Sequence, residues 1–284
     1  MPETFLNLIR LKEGPWQAFE RLIARYIEHG GFEDVSVVGG PGDGGADIVG
    51  FRRGKRWLIQ AKFRKSSTVG SSAIGEAFDA QWLYGADVVV TATNQTFSRS
   101  AIKLRIEKIN SGFEVYNWDR NFFLEQSKNL ELFSSAKRDL RGYQREAVNA
   151  IQLAVESGRS RSLVTLATGL GKTVVASTFI AEYIECFPDS NVLVLAHMTD
   201  LVKQLERSCW ASFNKFTETH LWTDGEKPAH PKGVTFATWQ SVASAVERGE
   251  YLGDVFDLVV VDECHHAPSD SFSSLIDKLS PKHL

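Results

Sequence analysis

Residues 166–173 read LATGLGKT, and no other stretch limits the possible folds of this chain as tightly. The loop follows an apolar run, SLVTLA, and leads into residues 172–186, whose apolar positions recur at helical spacing. A glycine-containing loop between a buried strand and a helix gathers backbone amides and the positive end of the helix around one point, which suits a phosphate. On this reading Thr168, Gly169 and Gly171 form the cradle, Lys172 neutralises the β and γ oxygens of a nucleotide, and Thr173 offers a hydroxyl to Mg²⁺. Leu166 stands where the general pattern has glycine. A flexible turn is the plain alternative, and the strand–loop–helix setting argues against it.

The rest of the second half agrees with an α/β unit. Residues 140–157 and 201–213 read as helices, NVLVLAH as a strand, and VTFATWQSV as containing one. FDLVVVDE is an apolar run suited to a strand buried on both faces, and strands alternating with helices imply a parallel sheet. Asp262 and Glu263 end that run, where Asp262 can hold Mg²⁺ through water and Glu263 can polarise an attacking water.

The first half is organised differently. Residues 15–29 place Trp16, Phe19, Leu22, Ile23, Tyr26 and Ile27 on one helical face, with Pro15 before them and Gly30–Gly31 after. FEDVSVV reads as a strand, GGPGDGGAD as a glycine-rich turn, and residues 46–51 and RWLIQAKF as a hairpin turning at RRGK. A helix around 72–84, the strand ADVVVTAT, a helix from about 98 to 110 and the strand GFEVYNW follow, giving the order α-β-β-β-α-β-α-β. Residues 121–139 are polar and helical in character and read as a connector.

Hydrolysis of a phosphodiester with a metal needs hard oxygen ligands and a cation near the developing charge. Side chains alternate along a strand, so Gln60 and Lys62 share a face, and a turn at 53–55 brings them opposite Asp47. Glu20 on the preceding helix can complete the group. Taken singly, Asp47 is a turn cap, Gln60 an ordinary strand residue and Lys62 a solvated charge. Charge adds a further hint: the net −3 divides into +2 over residues 1–137 and −5 over 138–284, and Arg52, Arg53, Lys55, Arg56, Lys62, Arg64 and Lys65 are interrupted by no acid. Such a run is a solvated face or a phosphate-binding surface.

Two resemblances follow from these residues. FERLIARYIEHGGFEDVSVVGGPGDGGADIVG with WLIQAKF and ADVVVTATNQTFSRSA resembles the Mrr-type restriction endonuclease domain, a branch of the PD-(D/E)xK nuclease fold in which glutamine often replaces the last acid. The resemblance implies that Asp47 ligates the metal, Gln60 helps hold it, Lys62 orients water or stabilises charge, and Glu20 assists, with the basic run surrounding the site. Ala61 stands where the family commonly has cysteine. RGYQREAV, the GKT loop, LAHMTDLVKQ, TFATWQSV and DECHH resemble the first RecA-like domain of superfamily two helicases of the DEAD/DEAH-box and restriction-subunit type. That resemblance puts Gln144 against adenine, makes His265 a coupler of nucleotide state to DNA, and leaves His266 a polar neighbour.

The fold class expected is α/β in two parts. A restriction-endonuclease-like domain with a mixed sheet covers residues 1–125, a linker 126–139, and one RecA-like domain with a mainly parallel sheet 140–284. The resemblances imply a DNA endonuclease using Mg²⁺ at both sites and ATP at the second, in restriction of foreign DNA. A catalytically silent DNA- and nucleotide-binding module that recruits a partner, and a repair nuclease–helicase, are the alternatives. No second RecA-like domain is read in these residues. Hydrolysis of ATP by this chain alone is therefore expected to be very slow, and translocation on DNA is not expected; a second copy or the missing domain is the protein partner sought. Three cysteines without a CxxC pair fit a reducing cytoplasm, and no apolar run approaches a membrane span.

Overall fold

The computed structural model describes residues 3–39, 44–136, 139–228, 230–250, 255–264 and 270–284. The chain divides into two units, Met1–Ala136 and Lys137–Leu284. The first contains α1 (Leu8–Lys12), α2 (Trp16–His29), β1 (Glu33–Val37), β2 (Ile48–Arg52), β3 (Lys55–Lys62), α3 (Ser71–Tyr84), β4 (Val88–Thr93), α4 (Arg99–Asn110), β5 (Glu114–Trp118) and α5 (Arg120–Lys128). Its sheet runs in chain order, β1-β2-β3-β4-β5. The β1-β2 and β2-β3 pairs are antiparallel, whereas β3-β4 and β4-β5 are parallel, so the sheet is mixed.

Local chemistry accounts for the hairpin. Arg52 pairs with Lys55, and the two residues between, Arg53 and Gly54, both have positive φ, +52° and +73°. A two-residue loop with both φ values positive twists in the same sense as the strands it joins. Every residue of β4, which lies between β3 and β5, is buried, as expected of a parallel strand covered on both faces. The expected connector splits. α5 carries it to Lys128, and beyond it Leu130 is buried, while Glu131 O and Ser134 Oγ bond to His29 Nε2 and Glu28 O of α2 at 2.9 and 3.5 Å.

The second unit contains α6 (Gly142–Glu156), α7 (Lys172–Cys186), β6 (Asn191–Ala196), α8 (Thr199–Trp210), β7 (Thr219–Trp222), β8 (Gly233–Thr238), α9 (Trp239–Glu247), β9 (Leu258–Val261) and α10 (Asp270–Leu279). The strand order is β7-β8-β6-β9, with every pairing parallel. Side-chain alternation along β6 feeds two cores: Val192, Val194 and Ala196 pack with Phe179 and Val202 on one face, and Leu193 and Leu195 with Val242 and Ile276 on the other. Phe236, fully buried in β8, belongs to the first of these cores. Phe236→Ala is expected to cost about 3–5 kcal/mol, read as a fall in the urea midpoint.

One expected element does not form. Residues 162–167 make no strand, and Leu163 is 77% exposed. The reason lies at the sheet edge. His283 pairs in parallel with Leu258 of β9, and on its other side Leu284 exchanges two 2.8 Å bonds with Ser160 and Ser162. No described residue continues that ladder beside residues 163–167. Strand geometry is held by a neighbour's hydrogen bonds, and an apolar run without one stays irregular.

Candidate functional site

In the first unit the β2-β3 hairpin positions the expected residues. Asp47 immediately precedes β2, its amide donates to Ile59 O at 3.1 Å, and its Oδ2 accepts from Ala61 N at 2.6 Å. Gln60 is buried in β3, where its Nε2 donates to Glu76 Oε2 at 3.1 Å. Lys62, two residues on and therefore on the same face, places Nζ 2.7 Å from that same oxygen. Glu20 is buried on α2. Its Oε2 and Asp47 Oδ1 each lie 3.4 Å from the point where a β-carbon on Gly39 would stand, so the two carboxylates approach the same place. Gly45, at φ +96°, is more tightly hemmed in: a β-carbon there would meet Glu76 O at 3.1 Å and Gln60 Nε2 at 3.2 Å.

Glu20, Asp47, Gln60 and Lys62 thus gather around one hairpin, joined by Glu76 of α3, which sequence reasoning missed. Nothing in the sequence pattern singled it out, because Glu76 is an exposed residue on the flank of the buried stripe formed by Ala73, Ile74, Ala77, Phe78 and Ala80. The Lys62 ammonium, and after it the Gln60 amide, hold the Glu76 carboxyl below its ordinary value against the opposing effect of partial burial.

The basic run does not surround this group as expected. Arg52, Arg53, Lys55 and Arg56 sit at the hairpin turn, and an eight-residue strand at about 3.3 Å per residue separates Lys55 from Lys62 by roughly 23 Å. Lys55 is paired with Glu114, and the Arg52 and Arg56 guanidinium groups lie over the rings of Phe32 and Phe51. Only Lys62, Arg64 and Lys65 of the run lie at the site end of β3. Adjacency in sequence became separation in space because the strand is extended.

In the second unit the carboxyl ends of β6, β8 and β9 share one edge, the usual ligand edge of a parallel α/β sheet. The glycine loop turns through Gly169 and Gly171, at φ +81° and +83°, and α7 starts at Lys172. Tyr143 Oη and Gln144 Nε2 both donate to Leu170 O, at 3.1 and 3.0 Å, while Gln144 Oε1 accepts from Arg141 N at 2.9 Å. Gln144 is therefore against the loop, with its amide engaged in tying the loop to α6. Lys172 Nζ lies 2.7 Å from Glu263 Oε1, a pair 91 residues apart in sequence. That bond holds the Lys172 ammonium above its ordinary value. The Asp262 carboxyl is raised by burial and then by the neighbouring Glu263 charge, and its backbone amide is anchored on Leu195 O at 2.9 Å. Thr173 is half-buried, whereas Thr168 and Gly169 are exposed. His265 and His266 lie outside the described residues.

The two sites lie in two separate α/β units, and comparison with known proteins assigns each unit to a family, one of restriction-subunit type and one of restriction-endonuclease type. The chain belongs to the family described as type III restriction enzyme, res subunit, which it matches over residues 137–284, and residues 11–126 match the restriction endonuclease family Mrr_cat. Among curated relatives, the DNA 3'-5' translocase XPB2 of Sulfurisphaera tokodaii is 32% identical over 137 residues, covering 48% of this chain and 27% of that protein. The type I restriction enzyme EcoAI endonuclease subunit of Escherichia coli is 29% identical over 138 residues, covering 47% of this chain and 17% of the subunit. This chain thus spans about a quarter or less of the length of these relatives. A solved structure, the ATP-dependent type ISP restriction-modification enzyme LlaBIII bound to DNA, aligns with 99% of this chain and 22% of its own length, at 20% identity and a TM-score of 0.43.

Proposed function

We propose that the first unit cleaves DNA phosphodiester bonds with a divalent cation, Mg²⁺ in the cell, and that the second binds ATP to control that activity during restriction of foreign DNA. The observation that carries the reading is the convergence of Asp47, Glu20, Gln60 and Lys62 on one hairpin. The donors suit the cation. Two carboxylates approach the space above Gly39, and Gln60 Oε1 is buried without a hydrogen-bond partner among the described residues. Asp47, Glu20 and Gln60 would hold the ion, which when bound polarises the phosphate and acidifies its water. Lys62 sets an ammonium beside that space to balance charge on the phosphate. Arg64 and Lys65 extend the positive surface along the backbone of the DNA.

In the second unit Thr168, Gly169, Gly171 and Lys172 take the phosphates, Thr173 and Asp262 flank the nucleotide's Mg²⁺, and Glu263 polarises water. Arginines for the transferring phosphate come from a second phosphate-facing domain, in this protein or a partner. Among the described residues no helix is long and apolar enough to cross a membrane. Supercoiled plasmid with Mg²⁺ tests the central claim: nicked and linear forms are expected, and intact plasmid at every protein and metal concentration would remove it.

A further inference from the structure

We propose that Glu76 is a positioning residue that sets the Gln60 amide so that its oxygen, not its nitrogen, faces the cation. The inference rests on the nuclease reading above and concerns a problem peculiar to glutamine as a ligand. A carboxylate offers two equivalent oxygens, so either end serves. An amide turned by half a rotation presents an NH₂ group, which a cation repels. Something must decide between the two ends.

The surroundings of Gln60 contain that decision. Its Nε2 donates to Glu76 Oε2 at 3.1 Å, and the reverse orientation would set two acceptors against each other, so the hydrogen-bond network itself determines which atom is nitrogen. Oε1 is thereby turned away from Glu76, buried and without a hydrogen-bond partner among the described residues. Nor is it spent on its neighbour across the sheet. Thr91 stands opposite Gln60 on β4, and its Oγ1 likewise has no partner there. A buried amide oxygen left unbonded is costly unless something binds it, and a hard cation prefers such an oxygen. The same Glu76 oxygen holds Lys62 Nζ at 2.7 Å, so one carboxylate on α3 sets both active side chains of β3. The Glu76 side chain is half exposed, which makes substitution there compatible with folding.

Binding of Mn²⁺ to the full chain, followed by calorimetry and by the loss of free-ion EPR signal, tests the assignment alongside plasmid cleavage. Glu76→Ala, which leaves Gln60 Nε2 no acceptor, is expected to weaken Mn²⁺ binding roughly ten- to a hundredfold, the effect of losing one charge-assisted hydrogen bond. In a Gln60→Glu background, where the ligand has no wrong end, adding Glu76→Ala is expected to leave Mn²⁺ affinity undiminished. Equal weakening in both backgrounds would mean that Glu76 acts only through its charge, and an unchanged affinity in the single variant would mean that it does not act at all; either overturns the proposal. A wild-type chain that neither binds Mn²⁺ nor cuts plasmid removes the nuclease reading itself, which separates the two failures.

Discussion

Replacing Asp47 with asparagine is expected to lower plasmid cleavage by on the order of 10³ while leaving the melting temperature close to that of the wild type. The two carboxylate oxygens do different work. Oδ2 receives the Ala61 amide at 2.6 Å and so belongs to the hairpin, whereas Oδ1 faces the space above Gly39 that Glu20 also approaches. Asparagine retains an oxygen for the Ala61 amide but carries no charge for a cation. Asp47→Ala removes both, and is expected to abolish cleavage and also to destabilise the hairpin by about 1 kcal/mol, because the partly buried Ala61 amide loses its acceptor. Plasmid nicking rates and thermal melts of the two variants separate these contributions. Full activity in Asp47→Asn would mean that the hairpin is only structural.

Lys172→Ala is the second large effect. Loss of a charged contact to phosphate costs about 1.5–3 kcal/mol, so ATP affinity measured by equilibrium binding should fall roughly ten- to a hundredfold or more. The pairing seen here adds a prediction of opposite sign. Lys172 is bonded to Glu263 at 2.7 Å, and a nucleotide must compete for the ammonium. Glu263→Gln removes that competitor and is expected to tighten ATP binding a few-fold at most, since solvent screens a pair this open to water. Weaker binding in Glu263→Gln would show that the carboxylate helps the nucleotide rather than competing with it.

Much of this was legible in the chain itself. The hairpin could be read from RRGK because positive φ at a two-residue loop has a local cause, and the shared face of Gln60 and Lys62 follows from strand alternation alone. Glu76 was not legible in the same way. It lies 16 residues from Gln60 on the exposed flank of a helix, and only the packing of α3 on β3 brings it to the site. The basic run misled for a related reason. Seven cations close in sequence look like one patch, yet the rigid extension of β3 carries Lys55 and Lys62 to opposite ends of a strand.

The glycine loop before α7 marks the same boundary. Its glycines, its lysine and the helix that follows were determined by the sequence, because glycine conformation and helix start are short-range properties. Whether residues 162–167 join a sheet was decided only in three dimensions, where Leu284 pairs with Ser160 and Ser162 and no described residue carries the ladder on. Local torsional preference and side-chain period are written residue by residue. Strand pairing, the meeting of Lys172 with Glu263 across 91 residues and the capture of Gln60 by Glu76 depend on partners that the chain brings together only by folding.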